Sequence, residues 1–530
     1  MDYSVAIAHQ QPFVPERMTL KLLSDPKYVA LNAQTWPRYD AYQHQVKASH
    51  WRPAFHLSPV AGLLNDPNGF CYFAGEYHLF YQWFPFGIAH GMKHWAHVRS
   101  NDLVNWSAPS LAMTPDSGYD PRGVYSGAAF LHPVDNQMLL YFTGNLKYEG
   151  DKRDATQCVA TLFADGKVTK NANNPLIPHV PEGLSGHVRD PKVIVVEDGY
   201  RMLLGAQTLG DKGCVLVYRS DDAFNWTLLG QLEVAFPAGQ EIGGYMWECP
   251  DYFVLDGHDV LVFSPQGIEP QGARFHNQFN VVYCLGKADW NALTFRVDTV
   301  EEFDRGFDFY APQTMENNPD GKRVLCAWAG CGDPEFPSDV EGWSNCLTFP
   351  RELYIQENQL CQRPIPAIEK LYLSSQSGCG EVKGIEVITG NIPHRYRLTL
   401  TLSNLSDETL ELQLLADERE SLNLLLDRAK GRVTLDRSKM QHRFATAWGE
   451  QRDLDYPLGN SVQVDVLVDG SIVEIFLDGG RAAMTARVFP AGATGDIRLL
   501  GSASAQYQCA THLLKSSVNT APISADVLSK

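Results

Sequence analysis

The chain has 530 residues, 44% apolar and 20% charged, an ordinary composition for a soluble globular protein and more length than one hydrophobic core usually organises. Lysine and arginine total 44 against 62 aspartates and glutamates, and the formal charge of −18 argues against nucleic acid and anionic membrane as partners. No run approaches the apolar length of a transmembrane helix.

From the N-terminus, Met1-Asp2-Tyr3-Ser4-Val5-Ala6 offers neither a basic n-region nor an apolar h-region. A signal peptide is therefore not expected, and the protein is placed in the cytoplasm. Residues 1–50 are expected to hold a tail and one short helix around Asp40 to Ala48. The 11 cysteines show no zinc-type spacing and are expected to be buried free thiols.

From residue 51 a pattern recurs, a turn with Gly, Asp or Asn followed by a short apolar strand. It appears as Gly75-Glu76-Tyr77-His78-Leu79-Phe80 and again at Asp135 to Phe142, Asp198 to Leu204, Asp256 to Phe263 and Asp320 to Cys326. With Phe80, Leu140, Leu203, Leu261 and Leu325 as markers, the steps are 60, 63, 58 and 64 residues. Five copies of several short strands without a long helix predict a five-bladed β-propeller over 51–355. A smaller echo, Ser100 to Trp106 against Ser220 to Trp226, supports the repeat. Around Arg363-Pro364-Ile365-Pro366 the texture becomes that of a linker, taken as 356–375. From about Arg395 the chain alternates with period two, as in Tyr396 to Leu402 and Val462 to Val468. That predicts a C-terminal β-sandwich over 376–530, and an all-β fold for the whole.

Three segments inside the repeat carry acids just ahead of prolines: Asn65-Asp66-Pro67-Asn68-Gly69, Arg189-Asp190-Pro191 and Trp247-Glu248-Cys249-Pro250. They fall in the first, third and fourth repeats, each shortly upstream of the apolar strand. Equivalent strands of a propeller line its central channel, so residues far apart in sequence converge there. Proline is expected to hold the preceding residue extended and so to aim the acid. Clustered carboxylates are costly unless they hold a metal or do chemistry. No EF-hand spacing favours calcium, and two carboxylates suffice for glycoside hydrolysis without metal or organic cofactor. The amides of Asn68 and Gly69 are expected to hold Asp66 ionised. Trp247 and Cys249 suggest an apolar setting for Glu248, suited to a protonated acid.

At these residues the chain resembles glycoside hydrolase family 32, the invertases, fructanases and sucrose-6-phosphate hydrolases. The resemblance continues through Asp308 to Gln313, Glu341-Gly342-Trp343 and Pro350-Arg351-Glu352-Leu353, and covers about residues 50 to 370. It implies a five-bladed propeller followed by a sandwich, and a retaining β-fructofuranosidase. Asp66 would be the nucleophile, Glu248 the acid and base, and Asp190 the third acid that grips fructose hydroxyls. The resemblance also implies that Asn65, Gln82, Ser126 and Arg189 hold the sugar and that Trp95 and Trp343 wall the pocket. Leu63, Leu64 and Tyr125 complete the substrate-binding set.

Two departures stand out. Leu63-Leu64-Asn65 replaces the usual Trp-Met-Asn, softening the wall beside the nucleophile. The stretch His90-Gly91-Met92-Lys93-His94-Trp95-Ala96-His97 is similar to the sucrose-6-phosphate hydrolase branch, and its Lys and His residues are candidates for a phosphate contact. The expected partner is a small sugar, sucrose or sucrose 6-phosphate. A fructan exo-hydrolase, a fructosyltransferase and a non-catalytic carbohydrate-binding propeller stay open as alternatives. The sandwich shows no motif and is read as structural support or a homodimer contact.

Overall fold

The computed structural model describes residues 26–46, 49–148, 152–501 and 505–525. The expected tail over residues 1–25 lies outside them. The expected short helix is Trp36–Gln43, earlier than Asp40 to Ala48. Pro37 near its start explains the shift, because the ring pre-sets the first-turn dihedral and needs no N–H partner there. Lys47 and Ala48 are outside the described residues.

Among the described residues seven sheets make up most of the rest, and the fold is nearly all β. Five sheets of four or five strands occupy Gly62 to Pro364. Each is built mainly from antiparallel neighbours in chain order. The first runs Gly62–Phe73, Glu76–Phe84, His94–Ser100 and Ser110–Met113, with Trp343–Ser344 added in parallel at Gly62 and Leu63. The repeated turns are the tight hairpins of these sheets. Ala74 and Gly75 have φ of 49° and 90°, and Asp256 and Gly257 48° and 81°, the left-handed pair that a two-residue hairpin needs. The Ser100 and Ser220 echo is one turn used twice: Asp102 accepts from the amides of Val104 and Asn105, and Asp222 from those of Phe224 and Asn225.

The leading strands of the five sheets touch in a closed circuit. Gly62–Phe73 meets Ala129–Leu131 and Tyr310–Thr314; Leu184–Val196 meets Ala129–Leu131 and Met246–Leu255; and Met246–Leu255 meets Tyr310–Thr314. Within the stretch expected as linker, Gln359–Pro364 is instead a strand paired with Arg351–Gln356. The turn that follows, Pro366–Leu371, buries Ile368 and Leu371 completely.

Two six-stranded sheets follow, between Tyr372 and Leu514. Their period-two alternation buries Leu398, Leu400 and Leu402 from one sheet against Leu412, Leu424 and Leu435 of the other. A buried polar network ties this part to the first. Arg351 bonds Asp304 at 3.0 Å and Glu474 at 2.9 Å, while His56 bonds Asp469 at 2.9 Å and Glu474 at 3.0 Å. All 11 cysteines are free; contrary to expectation Cys249 is half-buried, and Cys379 is exposed because it lies on the mostly exposed strand Tyr372–Glu381. Among the described residues no helix is long and apolar enough to cross a membrane.

Candidate active site

Each acid sits at a break in its strand's pairing. Leu64 pairs with Trp83 and Pro67 with Tyr81, so Asn65 and Asp66 together face Gln82 alone. The same extra residue occurs between Arg189 and Lys192, between Glu248 and Asp251, and between Tyr310 and Gln313. A proline stands inside or at the edge of every one, where its missing N–H costs no ladder bond. The expectation of extended pre-proline residues is corrected. Asp190, Cys249 and Ala311 have φ of 67°, 48° and 47°, so the bulge, and not the proline's extended preference, aims these residues.

Asp66 is half-buried, and its Oδ2 accepts a 2.5 Å bond from the Ser126 hydroxyl. Burial raises its pKa and the negative charge of Glu248 adds to this, while Ser126, Asn65 and the Lys93 cation oppose it. The expected support from Asn68 and Gly69 is absent. Asn68 donates to the backbone oxygen of Asp66, and the Gly69 amide bonds Gly127 across the sheet boundary. Asp190 is buried, its Oδ2 accepting from the Cys249 amide at 2.9 Å and its own amide donating to Thr143. Burial raises its pKa; Arg189 opposes, and Glu248 and Asp66 add to the rise. The three carboxyls therefore lie close enough to act on one another.

Glu248 has a polar setting, correcting the apolar one expected. Side chains alternate along the strand, so Trp247 points the other way and stacks on Phe263 at 4.2 Å between centroids. Oε1 of Glu248 accepts from Arg189 Nε at 2.9 Å and also from Nη2, and Oε2 accepts from Gln266 at 2.7 Å and the Tyr310 hydroxyl at 2.6 Å. Burial holds Tyr310 protonated far above its usual range, so it stays a donor. Lys93 Nζ lies 2.6 Å from Asn65 Oδ1 and 3.0 Å from His90 Nδ1. Burial pulls the Lys93 ammonium down while Asp66 pushes it back up.

The family model for the glycosyl hydrolases family 32 N-terminal domain matches residues 56–364, and that for the family 32 C-terminal domain matches 377–516. The chain belongs to glycoside hydrolase family 32. A sucrose-6-phosphate hydrolase of Staphylococcus xylosus is 38% identical over 470 residues, 87% of this chain and 92% of that protein. The structure of sucrose-6-phosphate hydrolase from Lactobacillus gasseri superposes with a TM-score of 0.84 at 31% identity, covering 93% of this chain and 99% of that one. A Bombyx mori family 32 β-fructofuranosidase, solved as a mutant in complex with sucrose, superposes with a TM-score of 0.78 at 29% identity, over 92% and 99% of the two chains.

Within this family 32 site the expected residues divide. Asn65, Ser126 and Arg189 gather around the acids, as described. Gln82 is buried opposite the first bulge and donates to the Val124 carbonyl, and half-buried Tyr125 precedes Ser126. Trp95 and Trp343 are corrected as pocket walls, since both are 0% exposed. Trp95 packs with Phe80 and Phe142, and Trp343 lies under the Arg52 guanidinium. Leu64 is also fully buried in the core, and Leu63 packs on Phe84 and Met92, so neither lines an open sugar site. His94 accepts from the Leu31 amide and His97 stacks on Phe80. Only His90 and Lys93 of that segment reach the site.

Sequence reasoning gave no role to Tyr310, Gln266, Thr143 and His187. Tyr310 lay inside a matched motif and was within reach of it. Gln266 had no local signal; it faces Glu248 because the hairpin register places it two residues beyond Ser264, the cross-strand partner of Glu248.

Proposed function

We propose that this family 32 chain is a retaining β-fructofuranosidase that hydrolyses sucrose 6-phosphate, sucrose or both, releasing fructose and glucose 6-phosphate or glucose. The observation that carries it is the meeting of Asp66, Asp190 and Glu248 from related bulges in three sheets, with the Glu248 charge near enough to raise the pKa of both aspartates. The sucrose-6-phosphate hydrolase names of the relatives support the substrate class. In this reading the five sheets are the blades of a five-bladed β-propeller beginning near residue 51 and extended to Pro364, with the helix Trp36–Gln43 ahead of them. The linker shortens to the Pro366–Leu371 turn, and the two six-stranded sheets that follow it are the sandwich. The enzyme acts in the cytoplasm on a small sugar, with nucleic acid and membrane disfavoured by charge.

Asp66 attacks the anomeric carbon of the fructosyl unit while Glu248 delivers its proton to the glycosidic oxygen, and the glucosyl portion departs. Glu248, now a carboxylate, takes a proton from water, which attacks the same carbon and frees Asp66. Asp190 and Asn65 hold fructose hydroxyls as the oxocarbenium-like transition state forms. Arg189, Tyr310 and Gln266 hold the Glu248 carboxyl in place. The sequence of steps requires no metal.

The test is kcat/KM for sucrose, sucrose 6-phosphate and a fructan, with fructose release and glycosyl transfer measured together. Turnover of the two sucroses with water as acceptor is expected. Turnover of the fructan alone, dominant transfer to sugar, or no turnover at all would overturn it.

A further inference from the structure

A second group of charges stands beside the acids and takes no part in their hydrogen bonding. Arg122 lies four residues before Ser126, at most about 13 Å along an extended chain. It is 2% exposed, yet its Nε is buried without a hydrogen-bond partner. Its guanidinium sits 5.0 Å from the ring centroid of Tyr28, and among the described residues no carboxylate pairs with it. Lys147 approaches the same ring from 5.5 Å and donates to the Tyr28 hydroxyl at 3.1 Å. Tyr28 packs on Leu63, Phe84 and Met92, and the Lys27 carbonyl accepts from the amide of Met92, the residue before Lys93.

The group also connects to the catalytic centre. Lys147 pairs across strands with Arg153. Arg153 packs its backbone against Gly186, the residue before His187, and burial together with the cations Arg189, Arg153 and Lys147 holds His187 down to about 4. His187 Nδ1 is 3.0 Å from Arg189 Nη1, and Arg189 bonds Glu248. A buried guanidinium that no carboxylate among the described residues pairs is costly, the more so when the chain around it has a net charge of −18 and acids to spare. Arginine, lysine and a phenol together suit a phosphate dianion, which takes a forked donor, a point charge and a neutral O–H donor.

We propose that Arg122, Lys147 and Tyr28 form the subsite for the phosphate of a sugar phosphomonoester and so select sucrose 6-phosphate over sucrose. The proposal rests on the fructosidase reading, and it moves the phosphate contact away from the His90 to His97 stretch. Lys93 is committed to Asn65 and the nucleophile.

The experiment measures kcat/KM for sucrose and sucrose 6-phosphate in the full-length wild type, Arg122→Met, Arg122→Lys and Lys147→Met, with melting curves for each. Inhibition by glucose 6-phosphate and by glucose is compared in parallel. The wild type is expected to prefer the phosphorylated sugar. Each Met variant should reduce that preference by about 10- to 100-fold, weaken glucose 6-phosphate inhibition, and leave inhibition by glucose the smaller change. Arg122→Lys should recover part of the preference. If Arg122→Met does not fold, half-buried Lys147 decides. A substrate ratio unchanged in folded Lys147→Met, or a wild type indifferent to the phosphate, overturns the subsite while leaving the fructosidase intact. Absence of turnover on both sugars overturns the fructosidase reading itself.

Discussion

The hydroxyl of Ser126 lies 2.5 Å from Oδ2 of Asp66, joining the second sheet to the bulge of the first. Burial drives the Asp66 pKa up, and this bond is the leading influence that brings it down. A nucleophile must be ionised, so the acidic limb of the pH–rate profile is set partly by Ser126. Ser126→Ala should shift that limb to higher pH and lower kcat/KM at neutral pH by roughly 10- to 100-fold. A profile superimposable on the wild type would show that Ser126 does not tune the nucleophile.

Lys93 acts in the same direction by charge. Its cation lowers the Asp66 pKa, and its bond to Asn65 holds the neighbouring amide. Lys93→Met removes the positive charge, so Asp66 should protonate at higher pH and the acidic limb should move up. Recording kcat/KM against pH for sucrose checks this. A limb displaced downward would contradict the sign.

Replacement of the acids should separate their duties. Asp66→Asn should abolish turnover by several orders of magnitude with an unchanged melting temperature. Glu248→Gln should cost about 10²- to 10⁴-fold with poor leaving groups and much less with an activated aryl fructoside, where protonation of the leaving oxygen matters little. Uniform loss across leaving groups would remove Glu248 from the acid role.

The buried junction between the two parts of the chain should make stability depend on pH. Burial alone lowers the His56 pKa, but its bonds to Asp469 and Glu474 outweigh that and hold it above its ordinary value. Folding thus favours protonated His56: its contribution is complete below about pH 6.5 and fades as pH rises through the folded-state pKa. Glu474 is buried too, yet Arg351 and His56 hold it below its ordinary value, so its contribution is present above about 4.5 and lost on acidification. Maximal support is expected between these limits. Melting temperatures of the wild type and His56→Gln across roughly pH 5 to 9 test it, and the variant should lose the decline above neutrality. Parallel curves for the two proteins would exclude His56 as its source.

How legible the site was depended on whether a signal was local. Asp66 and Asp190 announce themselves by the proline that follows, and Glu248 by Pro250, because a proline within a strand tends to mark a bulge. The dihedral at Asp190 did not follow from that rule, since the bulge overrode the pre-proline preference. Trp95 and Trp343 carried the right chemistry for a sugar wall and lie wholly inside the packing. Whether an indole faces a cavity or a neighbouring sheet is decided by residues distant in sequence.

By itself, then, the sequence determined the β texture, the spacing of the hairpin turns, the period-two strands of the C-terminal part and the placing of three acids ahead of prolines in the repeat. Each is a short-range property, set by turn chemistry, alternation and backbone restriction within a few residues. The tertiary structure alone decided that Ser126 answers Asp66, that Tyr310 and Gln266 hold Glu248, and that Arg122 lies against Tyr28. These pairings depend on strand register and on which sheet edges meet. Their physical basis is the burial of apolar faces from segments tens to hundreds of residues apart, and no local pattern encodes it.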